Sequence, residues 1–318
     1  MSQPTEERRD GNGGATGEEP GPPYYISRQE ELELRIKASQ GIVMNNVPTS
    51  LVIGQATSFD DYVRQLMIPT RVLELARKAS TIRLSAWEAE ALRASIAPGD
   101  GLLREILEKK AEQDDSHPPY IRVACTGKGD YDEMAAARYG YDLSTGGEDI
   151  HKGEFGSPVV LEIWPAQHYS PMHSHGRTTG IIYSLAGQID VMAYDDLAWD
   201  AERVGLLTLT PGQCAWLDGE RFAVHKVYCP MDGGGRAVGP DNLLNDSSNY
   251  AATFHVYLNQ SELPLVGAAP EPEPDTRDEF TFIDEKPPHG LVPFPTYSDL
   301  SWSILRKVMA EHAAEIGM

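Results

Sequence analysis

Three of the nine histidines in this 318-residue chain fall within eight residues, in 167-QHYSPMHSH-175, and two of them, His173 and His175, are spaced His-x-His. In an extended strand, residues two apart face the same way, so this spacing presents both imidazoles to one side. A third, His225 in AVHKV, follows 50 residues later in another strand-like run. Neutral imidazoles suit iron, zinc, copper and nickel, and three of them leave coordination positions open. A lone His-x-His is often an idle surface or core pair, so the reading depends on a fold that brings His225 to the same place. His168 reads as a loop or supporting residue, and His151, His255 and His289 as non-ligands.

A second pattern stands in Thr253-Phe254-His255-Val256-Tyr257. Alternation puts Thr253, His255 and Tyr257 on one strand face. They are either a polar face turned to water or a buried relay from hydroxyl to imidazole to phenol, which would fix the His255 tautomer and place the Tyr257 hydroxyl near the metal.

These residues need strands to hold them. After residue 120 the chain breaks into short apolar runs between turn signals: VVLEIW (159–164), TGIIYSLAGQIDVMAY (179–194), RVGLLTLTP (203–211), QCAWL (213–217), AVHKVYC (223–229) and ATFHVYL (252–258). Many short strands with Gly/Pro-rich connections predict a mainly β fold, a barrel or double-sheet sandwich. Residues 231–249 read as a long loop within it. Upstream, 25–119 reads as a helical part: Ser58 caps FDDYVRQLM, Pro69 interrupts it, TRVLELARKA continues, and Ser85 with Glu88 has capping-box spacing ahead of Trp87, Ala91, Leu92 and Ile96. GLLREILEKKAEQ forms a further helix. Residues 1–24 read as a disordered Gly/Pro/Glu tail. Beyond 260 an acidic, Pro-rich linker leads to a C-terminal helix in SDLSWSILRKVMAEHAAE.

Hydrophobic content of 41% suffices for a real core. A net charge of −21, with 48 acidic against 27 basic residues, disfavours nucleic acid and anionic membranes as partners. Three cysteines make no disulfide framework, and Cys214 and Cys229 read as buried apolar residues. The first residues lack the apolar centre of a signal peptide, so the expectation is a cytoplasmic protein. No oligomeric state follows.

The spacing from His173 through Gly180 to Gly187 matches the first cupin motif, H-x-H-(x)4-[E]-(x)6-G, with Gly180 where many cupins carry a glutamate ligand. Gly205 to Pro211-Gly212 followed by His225 resembles the second. Three neutral histidines would leave the +2 charge of a divalent ion uncompensated, which favours an anionic ligand such as a thiolate or an enolate.

Residues 120–260 resemble a family, the thiol dioxygenases of the cysteine dioxygenase type. VVLEIWPAQHYSPMHSH matches the family's approach to His-x-His without a gap, including Trp164 and His168. GQCAWLDGERFAVHKV resembles its third-ligand segment, and Thr253/His255/Tyr257 its Ser-x-His-x-Tyr triad. The resemblance implies a cupin β-barrel (double-sheet jelly-roll) with one Fe(II) per chain held by His173, His175 and His225. It further implies a small thiol and O2 as substrates, with a sulfinate as product. Tyr257 would position substrate or oxygen, supported by His255 and Thr253. Gly180 stands where animal members carry a cysteine cross-linked to the tyrosine; bacterial members also have Gly. The family's Tyr-x-Arg, whose arginine clamps a substrate carboxylate, maps onto Tyr139-Gly140-Tyr141, where the arginine has become Tyr141. Arg138, Arg177 and Arg221 are the alternative sources of a clamp, so the thiol is left open. The alternatives are a three-His dioxygenase cleaving a carbon–carbon bond in a diketone, and a cupin that binds a metal or small molecule without turnover.

Overall fold

The computed structural model describes residues 43–45, 70–79, 81–113, 119–125, 127–143, 159–176, 178–217, 223–231, 244, 247–258, 280–293 and 297–317. Helices α1 (Thr70–Ala79), α2 (Ala86–Ile96), α3 (Leu102–Gln113), α4 (Asp132–Tyr139) and α5 (Trp302–Glu315) surround thirteen strands among these residues. The strands are β1 (Val43–Asn45), β2 (Ile121–Ala124), β3 (Val159–Pro165), β4 (His173–Ser174), β5 (Thr179–Ala186), β6 (Ile189–Tyr194) and β7 (Arg203–Leu209). They continue with β8 (Gln213–Leu217), β9 (Val224–Tyr228), β10 (Tyr250–Leu258), β11 (Thr281–Ile283), β12 (Leu291–Pro293) and β13 (Leu300–Ser301).

The strands form two sheets, one ordered β1-β8-β5-β10-β3-β2-β13 and the other β12-β11-β4-β9-β6-β7. Every pairing is antiparallel except β13 on β2. The fold is the expected double-sheet β-sandwich.

Alternation along each strand divides the side chains between the two faces of a sheet. Phe254, Val256 and Leu258 point outward against Val72, Leu75 and Ala79 of α1. Leu161 and Ile163 of β3 point outward against α2, α3 and α5. Between the sheets, Trp164, Ile182, Ala215 and Leu217 of the larger meet Ile189, Val191, Leu207, Leu209 and Val227 of the smaller. One part of the interior is therefore apolar, and the polar residues are gathered in another.

Ser85 caps α2 as its spacing predicts, accepting from Glu88 N–H while Glu88 accepts from Ser85 N–H at 2.8 Å. Of the apolar positions assigned to that helix, Ala91, Leu92 and Ile96 are buried and Trp87 is exposed. The Ser58-capped helix lies outside the described residues, as do the 1–24 tail, Arg177, Arg221, His151 and most of 231–249.

Several strands fall where the sequence pattern shows none. The span 25–119, read as helical, contributes β1, which pairs with β8 and satisfies backbone groups that β8 would otherwise leave open at the sheet edge. Beyond residue 260, β11 and β12 extend the smaller sheet and β13 the larger. Helix α5 buries Ile304, Leu305, Val308, Met309 and Ala313 in the cluster outside the larger sheet, so it covers its own chain.

Candidate metal centre

Register brings the histidines together. In the antiparallel β4–β9 pair, His173 lies directly opposite His225, so both side chains emerge on one face. His175 follows at the end of β4, where residue i+2 returns to that face. Potential ligand atoms of His173, His175 and His225 all lie within 4.8 Å of one another, and the three residues are buried. His173 Nδ1 stands 2.9 Å from the Pro171 carbonyl. A ring N–H donating there leaves the Nε2 lone pair facing inward. That atom lies 3.1 Å from His175 Nε2. Two nitrogens bound to one ion at about 2.1 Å and near right angles would be about 3 Å apart, so the donor set fits a metal ion.

Burial pushes the His173 pKa down to about 4, although the Pro171 carbonyl opposes the shift. Burial also holds His175 well below the ordinary imidazole range, and nearby His225 and His173 add to the effect. Neutral rings are what a metal requires. These shifts carry a sign for stability. The unfolded chain protonates first as pH falls, so the stabilisation is full above the ordinary 6.5 and drains away as pH drops towards 4. For His173 alone the loss is about 3 kcal/mol. Denaturant unfolding of the metal-free protein from neutral pH to about 4.5 checks this; stability flat across that window would contradict the buried, neutral rings.

Gly180 accounts for the close approach of one ring. A Cβ built on it would stand 3.1 Å from His175 Nδ1 and 3.2 Å from its Cε1. The absence of a side chain at Gly180 thus accommodates the His175 imidazole. We expect Gly180→Ala to preserve the fold and weaken metal binding roughly tenfold by tilting that ring, as measured by chelator competition.

Strand β10 brings its triad to the same cavity from the larger sheet. All nine of its residues are buried, which removes the reading of a solvent-facing polar strand. Trp164 Nε1–H donates to Thr253 Oγ1 at 2.8 Å, Thr253 Oγ1 is 2.7 Å from His255 Nε2, and the Tyr257 hydroxyl is 3.4 Å from His255 Nδ1. His255 Nε2 also lies 2.9 Å from a Glu162 oxygen. A carboxylate only accepts, so Nε2 carries a hydrogen, and Nδ1 faces the Tyr257 hydroxyl. Burial and the Glu162 charge raise the Tyr257 pKa well above the ordinary range, so it remains a phenol and donor. Its ring meets the edge of His175 with centroids 5.0 Å apart.

Three further residues complete the cavity. Glu162 is opposite Arg122 in the β2–β3 register, and Arg122 Nε donates to Glu162 Oε1 at 3.1 Å. Burial alone would raise the Glu162 pKa, but His255 and then Arg122 hold it at about 2. Phe280, just before β11, stacks on His175 with centroids 4.5 Å apart and packs against Tyr257. Glu162 went unread in the sequence, although its alternation with Leu161 and Ile163 was the signal that could have marked an inward acid. Tyr120-Ile121-Arg122 also carries the Tyr-x-Arg spacing. Phe280 left no local signal.

The substrate contacts expected at Arg138, Tyr139 and Tyr141 are not in this cavity. Tyr139 and Tyr141 stack on each other, centroids 5.6 Å apart, and pack with the helices outside the larger sheet. Arg138 pairs with Glu105 of α3, and Lys307 of α5 lies over Tyr141. The physical reason is that residues 132–139 form a helix lying against α5, which carries them out of the strand interior. His168 is buried with Nδ1 at the Pro119 carbonyl, and His289 stacks on Trp199, so neither joins the cluster. Burial raises Cys214 far above its ordinary value and Cys229 to about 12, which leaves both unreactive.

No family model matches the chain, and no curated protein does. Similar solved structures include an oxalate oxidase, at 15% identity and TM-score 0.22 over 32% of this chain and 41% of that one. A Bacillus subtilis oxalate decarboxylase matches at 12% identity and TM-score 0.22, over 32% of this chain and 21% of that one. The Drosophila melanogaster CENP-C cupin domain matches at 9% identity and TM-score 0.23, over 34% and 65%. The chain thus spans less than two thirds of each. At these scores the likeness adds nothing to the fold, which rests on strand order and register. No helix among the described residues is long and apolar enough to cross a membrane.

Proposed function

We propose that this protein is a non-haem Fe(II) dioxygenase that converts a small thiol into a sulfinate, R–SH + O2 giving R–SO2⁻ + H⁺. The observation that carries the reading is the buried chain Trp164–Thr253–His255–Tyr257, which ends in a phenol against His175 of the three-imidazole cluster. His173, His175 and His225 would hold the iron, which when bound supplies a cation that favours a thiolate and the redox capacity to engage O2. Because the three ligands are neutral and no carboxylate takes the Gly180 position, the negative charge would come from the substrate sulfur. The Tyr257 hydroxyl, held 3.4 Å from His255 Nδ1, would turn its hydrogen to substrate or oxygen as a donor. Phe280 and Val160, which pack with Tyr257, exclude water from that side.

The Tyr-x-Arg spacing sought by the family resemblance is better met by Tyr120-Ile121-Arg122 than by residues 139–141. Tyr120 stacks on Trp164, and Arg122 points into the sandwich beside Glu162.

The test is anaerobic Fe(II) loading followed by oxygen uptake with cysteine, 3-mercaptopropionate, cysteamine and 2-mercaptoethanol. We expect sulfinate from at least one, with turnover reduced about 100-fold in Tyr257→Phe. Tightly bound iron without uptake from any thiol would point instead to diketone cleavage or a binding role.

A further inference from the structure

The cavity contains one buried cation and one buried anion beside the histidines, and they face each other. Arg122 and Glu162 side chains are 4% and 6% exposed, with Nε and Oε1 3.1 Å apart. The other Glu162 oxygen is taken by His255. The guanidinium also lies over the Tyr297 ring, 5.1 Å from its centroid. The other buried basic side chains among the described residues are engaged elsewhere: Arg104 with Glu108 on α3, and Lys226 with Glu285.

We propose that Glu162 is the specificity determinant of this site, balancing Arg122 so that the pocket takes a thiol without a carboxylate. The inference rests on the thiol reading above and deepens it. An anionic group entering a buried site needs a countercharge that is not already spent. Arg122 is committed to Glu162, fixed opposite it by the β2–β3 register and covered by Tyr297. A carboxylate approaching Arg122 would also approach Glu162, and like charges brought together out of water repel strongly. Glu162 is held in place from both sides, by Arg122 at Oε1 and by His255 at Oε2. The substrate sulfur already supplies the anion that three neutral imidazoles favour, so a second negative charge would meet an arginine whose charge Glu162 already balances. A neutral or cationic tail meets no such penalty.

The test uses the full chain loaded with Co(II) under argon, following thiolate-to-cobalt charge-transfer absorption during titration with 2-mercaptoethanol, cysteamine and 3-mercaptopropionate. For the unmodified protein we expect 3-mercaptopropionate to bind at least about tenfold more weakly than 2-mercaptoethanol, a gap that Glu162→Gln narrows or reverses. Tighter binding of 3-mercaptopropionate to the unmodified protein would overturn the proposal while leaving the thiol reading intact, and needs no variant. An unchanged gap in a folded Glu162→Gln protein would overturn the role of Glu162. No thiolate band with any of the three would overturn the thiol reading, and the proposal with it.

Discussion

A His225→Ala protein should lose stoichiometric metal. His225 is the ligand candidate on β9, directly across from His173, and without it the cluster is reduced to two nitrogens 3.1 Å apart at the end of β4. Removing a supporting contact to a ligand costs metal affinity about 10- to 100-fold, and removing the ligand itself should exceed that. Elemental analysis after dialysis, with chelator competition, measures the change. The metal-free fold should survive, because the imidazole is replaced within a β ladder whose backbone bonds remain, at a cost of about 1–3 kcal/mol. Full occupancy in this variant would place the metal elsewhere and dissolve the candidate centre.

Glu285→Ala should produce the largest loss of stability of any single change considered. Lys226 follows His225 on β9, so alternation turns it to the reverse face, where its Nζ meets Glu285 Oε1 at 2.6 Å. Both side chains are almost completely buried, and Glu285 also accepts from the Tyr169 hydroxyl at 2.8 Å. Without Glu285 a buried ammonium would retain the Tyr169 ring, 4.4 Å away. Breaking a buried pair from one side costs about 3–5 kcal/mol. The effect should reach the metal, because Glu285 lies just beyond β11, whose Phe282 pairs with His173 and whose neighbour Phe280 lies on His175. Denaturant unfolding and hydrogen exchange at Phe282 and Ile283 should both register the loss. Replacing both partners, Lys226→Met with Glu285→Gln, should recover much of it, since no lone buried charge is left. If Glu285→Ala is as stable as the parent, the pair does not anchor the segment.

Much of the site was legible because the chemistry repeats with the period of a strand. His173 and His175, and the Thr253/His255/Tyr257 triad, follow a two-residue spacing that a pleated strand converts into a shared face. The third histidine was legible only as a motif, because the β4–β9 register depends on tertiary contacts. Short strands were the blind spot. β4 has two residues and β11 three, too few for alternation to stand above chance. Phe280 follows a stretch whose acidic, Pro-rich composition reads as linker, and nothing local marks it as a wall of the site. Arg122 was missed for a different reason: two segments, 120–122 and 139–141, compete for one loose motif. The first lies on a strand of the larger sheet and the second at the end of a helix outside it.

The larger sheet closes late. Asp299 accepts the backbone N–H of Arg122 at 2.7 Å across 177 residues of chain, and β13 then pairs with β2. A ribosome releases the three histidines, and the β10 triad after them, well before Asp299 and the β13 strand exist. A growing chain can therefore gather its imidazoles into a metal trap while the strand carrying Arg122 still lacks its final clasp. Gathering of the histidines would then precede the final fixing of the β2 edge.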